Sequence, residues 1–414
     1  MTVSSLSRLG TANAYDTVIA NLENRQSNLS KLQDVLSTGK KITTPADDPT
    51  GAAQAERALN RLARIATDQR ALDAQTASIT TAESTLGDVT SALQQVRDLV
   101  ASAGNGSFSD AERKTVAQQI STLGKQILDM ANTKDSNGQP LFAALGSALQ
   151  PFVGPSTSPD YAFNGLPGTA TGGTYAIPGT LDGDSAFMLQ PARDGVYNVK
   201  ISNGSSTPTI TSTPVTVTNS TQVNGSSYSL TVTGFDATAG TVTYDLTETP
   251  TSGSPIVTPG ISAPWTQSGG FAVTGMQGLA MTVNGTPNVG DTLSVDPNSS
   301  VFATVDKAAA DIGNAPNSTV ASQAVTQALN NIDISLARIS AVRGQAGNLL
   351  NRSSTISSNN DSRNTQQQSA LSKAQDADMV KSISDFQSQQ TGYQAALQSY
   401  AQIQKLSLFT YING

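Results

Sequence analysis

The sequence contains no cysteine and no histidine among its 414 residues. Without cysteine, the chain has no disulfides, no thiolate nucleophile and no cysteine-ligated metal. Without histidine, it lacks the usual general base at neutral pH and the commonest metal ligand. The Asp182-Gly183-Asp184 run lacks the later glycine and the terminal glutamate of a calcium loop. We therefore expect no enzyme active site, no metal site and no bound cofactor.

The chain also has fewer basic than acidic residues, 24 lysines and arginines against 31 aspartates and glutamates, which gives a net charge of −7. A surface that follows nucleic-acid phosphates needs clustered cations, and no basic run occurs. No apolar run is long enough to span a bilayer. The first twenty residues lack the sustained apolar core of a cleavable signal. We expect neither a nucleic-acid nor a membrane partner, and any export would proceed without a cleaved signal peptide.

Three compositional zones follow one another along the chain. The first, 1–149, is rich in Ala, Gln, Leu and Ser and reads as helical, and 301–414 is helical again. Between them, 150–300 is dominated by Thr, Ser, Gly and Pro with strand-like spacing of Val and Tyr. This order indicates that the helical ends form one unit and that the β zone is an insertion. We predict an α+β fold, a long antiparallel helical bundle or coiled coil from both chain ends with an inserted, sandwich-like all-β domain.

The predicted domains combine both ends of the chain. A terminal paired-helix core comprises 1–44 with 375–414, a helical bundle comprises 45–149 with 301–374, and the outer β domain comprises 150–300. In the bundle, one heptad seam carries an apolar residue every seven positions, the repeat of a left-handed coiled coil. The heptad seam consists of Ile65, Leu72, Ile79, Leu86, Leu93 and Val100. Another helix is predicted to begin after Ser109, with Glu112 completing a capping box.

Each chain end carries a narrow apolar stripe at helical spacing, interrupted by Arg25 near the start and by Gln390 near the end. Each stripe is too narrow to fold alone, so we predict that the two terminal helices pair with each other and then with neighbouring subunits. Arg25 and Gln390 would fix the register. The alternative is two ordinary helices docked on their own domain. The predicted assembly interface comprises Val18, Leu22, Leu29, Leu36, Ile383, Phe386, Tyr393, Leu397, Tyr400 and Leu406.

Two adjacent carboxylates, Asp47 and Asp48, lie between the first two predicted helices. Gly39 is placed to end the first helix in a left-handed cap conformation. Asp48 followed by Pro49 is typical of an N-cap with proline at the first helical position, and Asp47 adds negative charge near the same helix start. We therefore interpret these residues as a helix elbow rather than as a catalytic pair.

Four segments of the sequence resemble the flagellar hook-associated protein 3 family, the hook–filament junction proteins of the flagellin superfamily. The first is the elbow itself, LSTGKKITTPADDPTGAAQA. The others are LGKQILDMANTKDSNGQPLFAALGS (123–147), MTVNGTPNVGDTLSVDP (281–297) and the tail DADMVKSISDFQSQQTGYQAALQSYAQIQKLSLFTYI (376–412). The resemblance covers both helical ends well and the middle zone only at its edges.

This resemblance implies a structural protein of the bacterial flagellum. Paired terminal helices would form the inner core of a tubular assembly, and the β insertion would face outward. The partners implied are further copies of the chain in a ring or short helical layer, another hook-associated protein on the hook side and flagellin on the filament side. A cytoplasmic export chaperone would hold the C-terminal helix before export through the flagellar type III apparatus to the extracellular flagellum.

Two other functions stay open on the sequence. A flagellin filament subunit shares the elbow and tail in outline, and would polymerise into long fibres unaided. Flagellins typically have an Asn-Ser-Ala-Lys-Asp-Asp type of elbow in place of Thr-Thr-Pro-Ala-Asp-Asp-Pro, and they lack the strand after the NTKDSNG turn. A surface adhesin or glycan-binding module built on 150–300 would instead bind carbohydrate saturably.

Overall fold

The computed structural model describes residues 3–156, 160–170, 173–203 and 209–412, with side chains described from 16 to 402 inside those ranges. The chain divides into two compact units. The terminal unit comprises Met1–Gln69 and Ser357–Gly414, and the central unit comprises Arg70–Ile356. Two long helices contribute residues to both units. The division into three domains stays a prediction.

The described residues contain six helices of ten residues or more and two shorter helices, and the two shorter ones lie in the middle zone. The long helices are α1 Val3–Thr38, α2 Pro49–Ala103, α3 Asp110–Ala131, α6 Val301–Gly313, α7 Ser318–Gln375 and α8 Met379–Ile412. The short helices are α4 Gly183–Phe187 and α5 Pro191–Asp194. The predicted capping box is confirmed, because the Ser109 hydroxyl accepts from the Glu112 amide while the Glu112 carboxylate accepts from the Ser109 amide at 2.7 Å.

The heptad seam of α2 is buried along its whole length, as predicted, from Ile65 to Val100. Within the central unit, its residues from Leu72 onward join α3, α6 and α7 in one apolar core. The close approach of α3 and α6 depends on glycine. A Cβ added at Gly313 would lie 2.9 Å from the Ala117 Cβ, and one at Gly124 would lie 3.1 Å from Val305 Cγ1. The first contact would push the two helices apart, and the second would require the Val305 side chain to shift by a few tenths of an ångström.

An aromatic cluster closes the same core where the middle zone joins the helices. The cluster consists of Phe142, Phe152, Tyr161, Phe187 and Phe302. Phe302 lies at its centre, with ring centroids 5.3 Å from Phe152 and 5.5 Å from Phe187. The Tyr161 hydroxyl donates to the Asp306 carboxylate of α6, and burial together with this carboxylate raises the Tyr161 pKa well above its usual range.

The middle zone forms antiparallel sheets, most of them around a second apolar core, while the pair formed by 152–153 and 162–163 packs on the first core. The strands are β1 Phe152–Val153, β2 Ala162–Phe163, β3 Tyr197–Asn203, β4 Thr211–Ser212, β5 Thr216–Val217, β6 Ser227–Asp236, β7 Thr241–Thr249, β8 Ile256–Pro264, β9 Phe271–Ala272, β10 Leu279–Ala280, β11 Thr282–Asn284 and β12 Asp291–Pro297. The largest sheet has five strands in the order β3-β12-β6-β7-β8, and three smaller sheets have the orders β4-β11-β9, β10-β5 and β1-β2. Alternate residues of β7, from Val242 to Glu248, are buried, which is the pattern of a sheet covered on one face.

The architecture confirms the predicted fold class, long helices from both chain ends with an inserted antiparallel β region. In the part of the chain that the structure describes, no helix has an apolar stretch long enough to cross a bilayer.

Buried amide side chains of α7 tie the β region to the helices of the central unit. They recur every four residues on one face of the helix, and we call them the amide stripe: Gln323, Gln327 and Asn331. The Gln323 Oε1 accepts from the Ser212 amide at 2.8 Å, the Gln327 Nε2 donates to the Thr213 carbonyl at 3.1 Å, and the Asn331 Nδ2 donates to the Tyr197 carbonyl at 2.9 Å. The bonds to Ser212 and Tyr197 satisfy backbone groups of buried residues.

Replacing Gln323 by alanine should destabilise the central unit by about 1–3 kcal/mol, because the buried Ser212 amide loses its acceptor. The single tryptophan of the chain, Trp265, packs partly buried against the β core, so its fluorescence during urea unfolding reports this loss. Ser322→Ala, at an exposed neighbouring position, is the matched control. Equal midpoints for the two variants would contradict a role for the stripe in stability.

Candidate assembly surface

The elbow between α1 and α2 is built from glycine, two threonines and both aspartates. Gly39 has a φ of +69° and its amide donates to the Val35 carbonyl at 2.8 Å, which ends α1. The Asp48 Oδ1 accepts from the Thr50 amide at 3.1 Å and from the Gly51 amide at 3.0 Å, directly before Pro49 begins α2. Asp48 therefore occupies the N-cap position that the sequence indicates.

Asp47 accepts hydrogen bonds from the turn before α2, whereas Asp48 accepts them from the first turn of α2. The Asp47 Oδ2 accepts from the Thr44 amide at 2.8 Å and from the Thr43 amide at 3.2 Å, and it also accepts from both threonine hydroxyls. This carboxylate closes the turn before α2 rather than adding a second acceptor at the helix start. The hydrogen bonds lower the pKa of both groups, chiefly through the Thr44 amide for Asp47 and the Gly51 amide for Asp48.

A second elbow, between α7 and α8, pairs with the first. The Lys41 amide donates to the Gln375 carbonyl at 2.8 Å, and the Ala377 amide donates to the Gly39 carbonyl at 2.9 Å. These bonds flank an antiparallel bridge between Lys40 and Asp376. Asp378 then accepts from the Lys381 amide at 3.1 Å, at the start of α8. The two elbows thus hold the beginning of α8 beside the end of α1. Sequence reasoning missed this second elbow, although the Asp-Ala-Asp run before Met379 carries the same capping signal.

The Asp48 cap should weaken in acid. A carboxyl whose pKa is lower in the folded than in the unfolded chain stabilises above the unfolded value, about 3.9, and this stabilisation disappears as the pH falls through the folded value. Hydrogen exchange of the Thr50 and Gly51 amides should therefore accelerate, relative to intrinsic rates, below about pH 4. Asp48→Asn keeps an acceptor that does not titrate and should show no such acid transition. The same transition in both proteins would exclude Asp48 as its cause.

The two terminal helices pack against each other as an antiparallel pair inside the terminal unit. Arg25 of α1 lies over Gly392 of α8, where an added Cβ would come within 2.5 Å of its Nη1, and residues of both helices, among them Asn28 and Gln389, line one groove. The predicted stripe of α1 lies half-buried along this pair, namely Val18, Leu22, Leu29 and Leu36.

The predicted stripe of α8 separates into two lines with different surroundings. Phe386, Tyr393 and Tyr400 recur every seven residues and are half-buried. Ile383 and Leu397 also lie in heptad register with each other, but they stay 46% and 42% exposed, and we call the line through these two residues the outer line. The side chain of the last predicted residue, Leu406, lies outside the described residues.

The polar interruptions of the stripes also differ in position. Arg25 is half-buried against α8, in the place expected of a residue that sets the register of the pair. Gln390 is exposed and lies on the outer line between Ile383 and Leu397. The neighbouring Gln389 is the glutamine that turns toward α1. The role predicted for Gln390, fixing the register of the assembled helices, stays a prediction.

The outer line gives α8 an apolar surface that the described terminal unit does not cover. Val380, at the start of the same helix, is 81% exposed. Two helices with one narrow contact between them bury little apolar area, and packing, rather than propensity, supplies most helix stability. This arrangement suits a helix pair that is completed by further helices from outside the chain.

Across the described residues no group of three or more acidic side chains is arranged to hold a metal ion. The carboxylates of Asp47 and Asp48 accept hydrogen bonds from backbone amides and threonine hydroxyls of the elbow. The elbow therefore acts as a structural joint in this structure.

Comparison with known proteins places these features in a family context. The bacterial flagellin N-terminal helical region matches residues 10–146, which include the elbow, most of α1, and α2 and α3. Flagellar hook-associated protein 3 of Salmonella typhimurium is 29% identical over 196 residues, 47% of this chain and 58% of that protein. Its counterpart in Escherichia coli is 28% identical over 201 residues, 49% of this chain and 60% of that protein. The crystal structure of flagellar hook-associated protein-3 from Legionella pneumophila superposes with a TM-score of 0.61 at 27% identity, covering 77% of this chain and 98% of that one.

The resemblance to flagellar hook-associated protein 3 is confirmed. This chain spans 58% and 60% of the length of the two curated relatives it matches. The family that matches the N-terminal part and the relatives named above are all flagellar proteins.

Proposed function

We propose that this chain is a structural protein of the bacterial flagellum, an adaptor that joins the hook to the flagellin filament and has no catalytic activity. The observation that carries the proposal is the fold-wide likeness to the hook-associated protein-3 of Legionella pneumophila, which extends over nearly all of that chain. The exposed outer line of α8 supports an assembly role, since it offers apolar surface to helices of other subunits.

In this proposal the chain contacts three kinds of flagellar partner. Copies associate through the terminal helices in a ring or short helical layer, another hook-associated protein lies on the hook side, and flagellin lies on the filament side. Before export through the flagellar type III apparatus, without cleavage of a signal peptide, a cytoplasmic chaperone covers the C-terminal helix. The ten-residue interface predicted from the sequence and the three-domain division belong to the same proposal. Limited proteolysis would test the domain boundaries.

Immunogold labelling of isolated flagella, with an antibody raised against 150–300, tests the proposal directly. A band confined to the hook–filament boundary is the expected result, and flagella from a strain lacking the gene should show no gold. Label along the whole filament would favour a flagellin subunit instead. Absence of label from wild-type flagella would reject a flagellar role and return attention to carbohydrate binding by the β region.

A further inference from the structure

The net negative charge of this chain is concentrated in one of its two units. The central unit carries twelve basic and twenty acidic residues, a net charge of −8. The terminal unit carries twelve basic and eleven acidic residues, a net charge of +1. Copies of a uniformly acidic chain would repel one another. Copies with this uneven distribution can approach when a basic surface of one faces the acidic unit of the next.

The terminal unit presents such a basic surface on α2. Arg57, Arg61 and Arg64 are spaced by four and three residues, which places them along one side of the helix, and we call them the arginine face. All three are exposed, whereas Ala58 and Ile65 between and beside them are buried. The arginine face therefore flanks the buried seam of α2 and faces solvent.

The three arginines have no acidic partner among the described residues. The described ion pairs, with N–O distances up to 4.0 Å, include none of the three. Glu56 and Asp68, the nearest acids along α2, bracket the face without forming such a pair. Exposed arginines of the central unit behave differently. Arg97 contacts Asp333 at 2.7 Å and Arg343 contacts Glu83 at 2.6 Å, so this sequence does pair surface arginines where the partner lies in the same chain.

We propose that the arginine face docks on the acidic central unit of a neighbouring copy of this chain. The inference rests on the proposed function, in which copies assemble side by side. It joins two different surfaces, one from each copy, and such a heterologous contact propagates around a ring or along a helical layer. Complementary charge governs encounter rate and register more than affinity. The arginine face would thus select the position in which the apolar outer lines of neighbouring α8 helices meet.

Charge reversal measures the contribution of the face. In a strain lacking the gene, Arg57→Glu with Arg61→Glu should lower the amount of protein in isolated flagella by roughly tenfold or more, the factor that corresponds to about 1.4 kcal/mol. The control, Lys114→Glu with Lys125→Glu, makes the same change in net charge at exposed positions of the central unit and should incorporate normally. Replacing all three arginines by lysine keeps the charge and should also incorporate. Protein in the medium is quantified in parallel, so a variant that is exported but not assembled is recognised.

Cross-linking identifies the surface that is contacted. The triple lysine variant places amines on the arginine face, and a zero-length carbodiimide joins amines only to carboxylates in direct contact. In isolated flagella we expect cross-linked dimers in which these lysines are joined to carboxylates between 70 and 356 of a second copy. Cross-links from these lysines to flagellin, or dimers without them, would overturn the inference.

The outcomes separate this inference from the proposed function. Wild-type protein missing from flagella would reject both. If wild-type protein is present in flagella and the Arg57→Glu, Arg61→Glu variant incorporates as well as the Lys114→Glu, Lys125→Glu control, the docking of the arginine face is rejected. The proposed function then still stands.

Discussion

Replacing Leu397 by aspartate is expected to remove the protein from flagella while leaving the isolated chain folded. Leu397 lies on the outer line of α8 and is 42% exposed before any assembly, so the carboxylate stays solvated in the monomer. Once neighbouring helices cover this line, an unpaired charge would be buried at a cost of several kcal/mol. The measurement is an immunoblot of isolated flagella, together with the thermal unfolding midpoint of the purified variant by circular dichroism.

The adjacent Gln398 supplies the matched control. It is exposed and lies outside both apolar lines of α8, and Gln398→Asp introduces the same charge one residue away. Incorporation of Gln398→Asp at wild-type levels, with loss of Leu397→Asp, would assign the effect to the outer line. Ile383→Asp, two heptads earlier and similarly exposed, should repeat the loss. Normal incorporation of both apolar variants would support terminal helices that dock only on their own domain.

Local sequence patterns predicted the features that depend on local physics. The heptad seam follows from a repeat that keeps one helix face toward its neighbours, and it is buried from Ile65 to Val100. The capping box at Ser109 and Glu112 needs only four residues to form. The Asp48 cap before Pro49 is equally local. In the two caps the residues that make the contact are near neighbours in the chain, and in the seam the repeat lies within one helix even though its packing partners do not.

Strand β8 shows where the sequence misleads. Pro259 and Pro264 lie inside it, and proline removes the amide that a central strand would donate. The segment therefore does not read as a strand. In the structure β8 forms an edge of the five-stranded sheet, paired only with β7, the position in which a strand tolerates proline. Topology, which the local pattern does not contain, decides the outcome.

The spacing in the sequence identified the apolar residues of α8, but it did not show that they separate into a half-buried line and an exposed line. Spacing placed the apolar residues of α8 in one stripe, yet a helix pair can cover only part of that stripe. Phe386 and Tyr393 are half-buried, whereas Ile383 and Leu397 stay exposed. Which residues are covered depends on how α1 and α8 pack, including the contact of Arg25 with Gly392. The bridge between Lys40 and Asp376 joins residues far apart in sequence, so a local sequence pattern could not predict it either.

The aromatic cluster is the second place where distant residues meet, and Phe302→Ala should produce the largest loss of stability. Phe302 is 2% exposed, and its ring is stacked on Phe187 with an interplanar angle of 13°. Removing a buried phenylalanine leaves a cavity and typically costs about 3–5 kcal/mol. Urea unfolding followed by far-ultraviolet circular dichroism should therefore show a much lower midpoint than for Val153→Ala, whose side chain is 45% exposed and whose loss should cost within about 0.5 kcal/mol.

The two large effects should respond differently to temperature. Phe302→Ala acts only on the folding of the central unit, so its incorporation into flagella should recover when cells grow at a temperature well below its unfolding midpoint. In the proposed assembly, Leu397→Asp acts on a surface that matters only between subunits, so we expect that cooling does not restore its incorporation. Recovery of both variants on cooling would mean that Leu397 stabilises the monomer, and the outer line of α8 would then lose its assignment as an assembly surface.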